Sequence, residues 1–357
     1  MAIVNKTRFL EILEGLRATD DFASVRSQVA HLRAIIAGED DDEGVVNIAA
    51  NGDTISLRTD TLLSEVGQVL DSYTLERARY YLKRLAKAAT LKTNKINDIN
   101  LLRWKEYDHI ITDSLWVVDK RDSSGAHTAS YWGNFIPQIP HQMMLRYTRK
   151  GDWVLDAFAG SGTTLIECRR LGRNCIGVEL NPAAVADAEG LLRREAANEN
   201  VVTSVVLGDS RTLDVSRVLR EQGVESVQLL IMHPPYHDII KFSDSESDLS
   251  NAADTQKFLD MFGAVVDNLS PCLERGRYLV LVIGDKYSKG EWIPLGFRCM
   301  DEVLKRSYSL KAIIVKNFDE TRAKRNQKEL WRYRALVGGL YVFKHEYVML
   351  FKKTQRS

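Results

Sequence analysis

Residues 151–172 read GDWVLDAFAGSGTTLIECRRLG, and the fold turns on this stretch. An apolar run from Trp153 ends at an acid, Asp156. Gly160 and Gly162 follow, and a helical pattern begins at Ser161–Thr164 with Leu165 and Ile166 on its apolar side. Glycines at such a turn permit backbone angles and a close ligand approach that a side chain would forbid. A Walker phosphate loop would need a lysine before its last Ser/Thr, and none is present. A dinucleotide fingerprint wants G-x-G-x-x-G, whereas Thr163 and Thr164 follow here. The stretch predicts a strand, a ligand-binding turn and a helix.

Working outward, short apolar runs alternate with helical patterns: WVLDAF, CIGVEL, SVVLGD, QLLIMH and YLVLVIGD, then KAIIVK and YVMLFKK. Unbroken runs of this length are how strands buried on both faces read. Their alternation with helices predicts a doubly wound α/β sheet. The last two runs have no clear helix between them, which predicts an antiparallel hairpin at one edge, joined by the polar stretch 316–341. Two further strands end in acids. NCIGVELNP (174–182) places Glu179 about 20 residues past the loop, where an acid accepts bonds from ribose hydroxyls, and LGDS (207–210) places Asp209 where a nucleoside base is read. Taken singly, each acid reads equally well as a helix cap or turn former. Three of them at consecutive strand ends beside a glycine loop favour a ligand site.

The next strand, SVQLLIMHPPYHDIIKFS (226–243), ends in His233-Pro234-Pro235-Tyr236. Two prolines after a buried strand cannot donate ladder hydrogen bonds and stiffen the exit. The Pro234 carbonyl is then aimed outward as an acceptor, with an aromatic ring two residues on. Methylation of a base amino group needs acceptors that draw its hydrogens and an aromatic face that holds the extruded base. A lone PPY would more simply be a stiffened turn with a surface tyrosine.

DAFAGSGTT (156–164) together with HPPY resembles the amino-methyltransferases of DNA, which modify adenine N6 or cytosine N4. The likeness runs over about residues 104–353, and NFIPQIPHQMMLRYT (134–148) is similar to the family segment that precedes the loop. The resemblance implies a Rossmann-like methyltransferase sheet with S-adenosylmethionine as cofactor. It implies that Asn134, Phe135 and Pro137 close over the methionine end. Asp156, Phe158, Ala159, Gly160, Ser161, Gly162 and Thr163 would form the loop around it, with Glu179 and Leu180 at the ribose and Asp209 and Ser210 at the adenine. His233, Pro234, Pro235 and Tyr236 would hold and activate the target base. Two departures stand out. The cofactor loop precedes HPPY, the reverse of many relatives, which alters connectivity rather than chemistry. His233 also stands where relatives carry Asp, Asn or Ser. A neutral imidazole accepts one hydrogen bond, whereas a protonated one only donates.

Residues 1–100 predict a mainly helical region. MAIVNKTRFLEILEGL reads as an amphipathic helix, 6–37 carry two helical patterns, and 60–90 return to helix. Five consecutive acids, Glu39–Glu43, read as a solvated loop. VVNIAANGDTISL, with Asn51-Gly52 at its centre, predicts a β-hairpin. This region could recognise sequence, mediate dimerisation or brace a catalytic domain at 101–357. The stretch 237–255 reads as a mobile loop beside the site.

Lys+Arg 49 against Asp+Glu 48 gives a net charge of +1, so any nucleic-acid contact must come from a local basic face. KNFDETRAKRNQKELWRYR (316–334) offers Arg322, Lys324, Arg325, Lys328 and Arg332 for phosphates and Trp331 for stacking, and KYSKGEW (286–292) adds to that face. The same stretch also reads as a solvated helix. No apolar run approaches membrane-spanning length. Four cysteines without C-x-x-C spacing argue against a disulfide framework or a zinc site, so no metal is expected and a reducing cytoplasm is the default. The expected partner is duplex DNA with a flipped base, in the setting of restriction-modification with a cognate restriction enzyme. A guanine-N2-type RNA amino-methyltransferase and a catalytically impaired partner subunit are the competing readings.

Overall fold

The computed structural model describes residues 1–40, 44–46, 48–49, 51–90, 94–128, 131–318 and 328–354. They fall into two compact units: 1–95 with 99–109, and 96–98 with 110–357.

The first unit contains β1 (Ala2–Asn5), α1 (Lys6–Ala18), α2 (Phe22–Ala37), β2 (Thr54–Leu57), α3 (Thr59–Leu70) and α4 (Leu75–Ala88). Its helices start where short polar side chains satisfy free N–H groups: Asn5 accepts from Arg8, Asp21 from Ala23 and Ser24, and Thr74 from Arg77. Phe9, Leu13, Val25, Val29, Leu32, Val66 and Leu82 close a common core. Two expectations are corrected here. The chain opens as a strand, so helix begins only at Lys6. Among the described residues the limbs around Asn51-Gly52 do not pair with each other: β2 pairs antiparallel with β1, and Val46 bridges Val4 on the other side of β1. The N-terminal strand takes the partner that each limb would otherwise have offered the other. On its outer face α4 presents Arg77, Tyr80, Lys83, Arg84 and Lys87, with Glu76 as the one acid there.

The second unit is an eight-stranded sheet flanked by helices. In chain order it holds β3 (Leu115–Trp116), α5 (Gln138–Tyr147), β4 (Trp153–Asp156), α6 (Thr163–Leu171), β5 (Asn174–Glu179), α7 (Pro182–Arg194), β6 (Thr203–Leu207), α8 (Val215–Glu221), β7 (Val227–Met232), α9 (Thr255–Leu269) and β8 (Leu273–Ile283). A short hairpin of β9 (Lys286–Ser288) and β10 (Glu291–Ile293) comes next, followed by α10 (Leu295–Leu304), β11 (Tyr308–Asn317), α11 (Lys328–Gly338) and β12 (His345–Lys353). The strand order is β3-β11-β12-β8-β7-β4-β5-β6. The β4, β5, β6, β7 and β8 ladder is parallel, and β12 runs antiparallel to both β8 and β11. This is the doubly wound, Rossmann-like sheet with an antiparallel edge that the sequence pattern implied. The β11–β12 pair forms as expected, with β12 on the inner side and the two-residue β3 outside β11.

Buried side chains alternate between two cores. Val154 of β4 faces Ile139, Met143 and Leu165, while Leu155 faces the side holding Phe258, Phe262 and Val266 of α9. Both faces are covered, which is why these strands read as unbroken apolar runs. From β4 the chain winds outward through β5 and β6, then returns to place β7 on the other flank of β4. That reversal opens a crevice beyond the carboxyl ends of β4 and β7, the place where such sheets bind ligands.

Candidate active site at the sheet switch point

The crevice is a cavity of about 850 Å³, within the range of roughly 300–1,000 Å³ typical of small-molecule sites. Its floor is the glycine loop. Gly160 and Gly162 have φ of +51° and +84°, a region side chains rarely adopt. A Cβ on Gly160 would also sit 3.0 Å from the Tyr131 ring, and one on Gly162 would sit 3.2 Å from Ala188 Cβ. Bare backbone there lets the chain turn tightly under whatever the cavity holds.

Phe158, Ala159, Gly160, Thr163, Glu179, Leu180, Asp209 and Ser210 all line the cavity, as do Asn134, Phe135 and the HPPY residues. Asp156, Ser161, Gly162 and Pro137 do not line it. Asp156 lies beneath the loop, where its carboxylate accepts the Phe158 amide at 3.0 Å, and burial pushes its pKa up to about 6. Ser161 Oγ accepts from Asn134 Nδ2 at 2.7 Å, tying the segment before the loop to the loop itself. Pro137 caps the start of α5.

Glu179 is the keystone of this half. Its Oε2 accepts the Gly160 amide and its Oε1 the Asn181 amide, both at 2.8 Å. Burial raises its pKa, and those amides pull it back toward the charged form. Burial would also raise Asp209, but the Arg211 guanidinium holds it low, with Nη2 2.6 Å from Oδ2. Asp209 therefore meets the cavity as a carboxylate already paired. The Ser210 hydroxyl donates to the Ala157 carbonyl at 2.7 Å.

The other wall is HPPY at the end of β7, held beside the loop by the Ala157 amide bonding the Ile231 carbonyl at 3.0 Å. His233 packs tilted against Phe135, ring centroids 4.9 Å apart. Its Nε2 lies 3.3 Å from the Tyr236 hydroxyl. That hydroxyl donates to Glu346 Oε2 at 2.9 Å, while Glu346 Oε1 lies 3.1 Å from Lys316 Nζ. Burial first, and the neighbouring Glu346 carboxylate second, push the phenol well above its ordinary range, so it keeps its proton. A Cβ on Gly284 would fall 2.8 Å from the Tyr236 ring, so this glycine gives the ring its space. Lys316, Glu346, Gly284, Tyr131 and Phe242 belong to the cavity and were not anticipated. Glu346 had one visible signal, an acid just before the apolar run YVMLFKK.

Burial lowers the His233 imidazole to about 4, so it is neutral around pH 7. The unfolded ring titrates near about 6.5. As pH falls from there toward 4 the unfolded chain takes up the proton first, and stability drops across that window by on the order of 3 kcal/mol at most. Asp156, raised instead of lowered, contributes in the opposite sense but equally in wild type and variant. The denaturation midpoint of His233→Asn should therefore fall less steeply between pH 6.5 and 4.5 than that of wild type. Parallel slopes would show that the imidazole is not held neutral.

The expected basic face is altered. Arg322, Lys324 and Arg325 lie outside the described residues, as does the side chain of Lys328. Trp331 and Arg332 sit on α11 and are not among the residues that line the cavity. Lys286 is buried, not a phosphate contact: its Nζ donates to His237 Nδ1 at 2.7 Å and pairs with Asp238. The stretch 237–255, read as mobile, is tied down by Asn181 Nδ2 to the Phe242 carbonyl (3.0 Å), Ser243 Oγ to Asp248 (2.8 Å) and His237 Nε2 to the Ala252 carbonyl (2.9 Å). Among the described residues all four cysteines are buried and free, no cluster suits a metal ion, and no helix is long and apolar enough to cross a membrane.

Residues 71–190 match a family model described as DNA methylase, of the N6/N4 kind, covering the glycine loop and stopping before HPPY. The Type II methyltransferase M.MjaII of Methanocaldococcus jannaschii is 41% identical over 64 residues, 18% of this chain and 12% of that protein. M.Cfr9I of Citrobacter freundii, also a Type II methyltransferase, is 36% identical over 85 residues, 24% and 27% of the two chains. M2.DpnII of Streptococcus pneumoniae is 41% identical over 110 residues, 29% and 40%. The matched segments span from 12% to 28% of the first three relatives' own lengths. Among solved structures, TrmN from Thermus thermophilus overlays 62% of this chain and 50% of its own at 14% identity and a TM-score of 0.40. Family model and relatives agree in kind: the matched stretches of this chain are similar to a DNA methylase of the N6/N4 kind and to Type II methyltransferases.

Proposed function

We propose that this protein methylates the exocyclic amino group of adenine (N6) or cytosine (N4) in DNA, on a base flipped out of the duplex, with S-adenosylmethionine as methyl donor. One observation carries the reading: the switch-point cavity has a glycine loop pinned by the Glu179 carboxylate on one side and a proline-stiffened aromatic segment on the other. The residues fit the cofactor. Bare glycine backbone leaves room for the methionine portion, Glu179 faces the position of a ribose, and the cavity has volume for a nucleoside and a base together. S-adenosylmethionine bound there supplies a methyl group on a positively charged sulfur. The protein's part is positioning: Phe158 and Leu180 flank the nucleoside, Tyr236 offers its ring to the target base, and Pro234 and His233 accept the amine's hydrogens.

Its similarity to Type II methyltransferases supports a restriction-modification setting, for which we propose the cytoplasm as location and a cognate restriction enzyme as partner. Residues 101–357 would carry the chemistry. Residues 1–100 would brace it, read sequence or dimerise. The test is transfer of labelled methyl from S-adenosylmethionine to duplex DNA, single-stranded DNA and RNA. Duplex DNA should be the preferred acceptor, and mass spectrometry of the product nucleoside reads the base. Transfer to RNA alone would replace the reading, and transfer to none would leave a binding subunit.

We propose that Arg322, Lys324, Arg325, Lys328 and Arg332 contact phosphates and that Trp331 stacks, whereas Lys316 is committed to Glu346. Reversing the charges of Arg322, Lys324 and Arg325 should weaken duplex binding about tenfold or more near physiological salt and flatten its salt dependence. An unaltered slope of affinity against salt rejects the patch.

A further inference from the structure

Four polar side chains follow one another along the cavity wall: Lys316, Glu346, Tyr236 and His233. Lys316 and Glu346 face each other across the β11–β12 ladder, and their side chains are only 6% and 11% exposed. A carboxylate only accepts hydrogen bonds. The single phenolic proton of Tyr236, 2.9 Å from Glu346 Oε2, is therefore committed to Glu346. The phenol oxygen then has only lone pairs to offer His233, so the contact at 3.3 Å requires the hydrogen to be on Nε2. With Nε2 protonated in a neutral ring, Nδ1 carries the lone pair, and among the described residues no hydrogen-bond partner is recorded for it.

We propose that Glu346, acting through the Tyr236 hydroxyl, is a positioning residue that holds His233 in its Nε2–H tautomer and so makes Nδ1 an acceptor for the target amino group. This rests on the amino-methyltransferase reading and adds to it which nitrogen of His233 accepts and what fixes that choice. Lys316 gives the buried carboxylate its counter-charge, so Glu346 is an acceptor at both oxygens. The order of the groups matters. With an amide in place of the carboxylate, a donor can face the phenol oxygen, and the phenolic proton is free to turn to His233 Nε2. The neutral ring then carries its one hydrogen on Nδ1 instead of Nε2 and presents the amine with a donor.

The experiment is long-range ¹H–¹⁵N correlation spectroscopy on histidine-labelled full-length protein, together with methyl-transfer kinetics. His237 serves as an internal reference, because Nε2 meets the Ala252 carbonyl and Nδ1 meets the Lys286 ammonium, fixing its tautomer as Nε2–H. Wild-type His233 should show the Nε2–H pattern. Glu346→Gln, nearly isosteric, should shift it toward Nδ1–H and lower kcat on duplex DNA by roughly 10²-fold, as loss of one preorganised polar contact does. KM for S-adenosylmethionine should stay within about twofold, as for loss of a contact that acts only at the target amine. Tyr236→Phe removes only the hydroxyl and cuts the relay, so adding Glu346→Gln to it should cost nothing further. Wild-type His233 in the Nδ1–H form overturns the proposal. So does activity lost in Glu346→Gln with the tautomer unmoved, or retained with the tautomer reversed. The tautomer is read without turnover. If the wild-type spectrum is as expected but no nucleic acid accepts a methyl group, the enzymatic reading has failed and the relay has not.

Discussion

Tyr236→Ala should lose methyl transfer by roughly 10²-fold while binding S-adenosylmethionine within a few-fold of wild type, because stacking on a base is worth about 1–3 kcal/mol and misplacement of the reacting group adds to that loss. The ring is fixed in place from three sides. Its hydroxyl is tied to Glu346, one edge fills the space over Gly284, and His233 meets it edge-on with centroids 5.6 Å apart. None of these contacts reaches the glycine loop or Glu179, so cofactor affinity has no reason to change. Because the ring is half-buried, thermal unfolding of the variant must accompany the kinetics. Tyr236→Trp keeps an aromatic face without the hydroxyl, and it should recover part of the lost kcat. An alanine variant that is folded, binds cofactor and transfers at the wild-type rate would remove HPPY from the chemistry.

The sheet was legible because its physics is local. Strands covered on both faces must be apolar throughout, and β4, β5, β7 and β8 announce themselves that way. Their alternation with helices then limits the topology. The glycine loop and HPPY were legible because each is contiguous. What escaped notice was assembled from distant strands. Glu346 and Lys316 come from the antiparallel edge, 110 and 80 or so positions from Tyr236, and only pairing in register brings them to the cavity. Lys286 misled for a related reason: a lysine in KYSKGEW looks solvated until the fold buries it against His237 and Asp238. The Asn51-Gly52 hairpin failed because a turn signal specifies a reversal but not the partner strand, and β1 pairs with β2 on one side and bridges Val46 on the other. Asp156 shows a subtler gap. An acid at a strand end can face the ligand or, as here, sit beneath the loop and cap it, and sequence spacing is the same in both cases.

The second large effect is expected at Glu179, in cofactor binding. One carboxylate organises two turns, taking the Gly160 amide with one oxygen and the Asn181 amide with the other, while it still lines the cavity. In Glu179→Ala both amides lose their partner, and the loop, whose glycines cost backbone entropy to order, is no longer pinned. Hydrogen bonds to a charged group are worth about 1.5–3 kcal/mol each, so affinity for S-adenosylmethionine should fall about a hundredfold or more, with kcat/KM falling alongside. Glu179→Gln separates the two duties. Its carbonyl oxygen can keep one amide bond but its NH₂ opposes the other, so the loss should be intermediate, near tenfold. Isothermal titration with the cofactor reads both variants directly, before any nucleic acid is added. If Glu179→Ala binds as wild type, Glu179 is only a turn former, and the ribose must be held from elsewhere in the cavity. If Gln and Ala fall equally, the charge rather than the geometry is what the cofactor feels, and Asn181, which starts α7, becomes the next residue to vary.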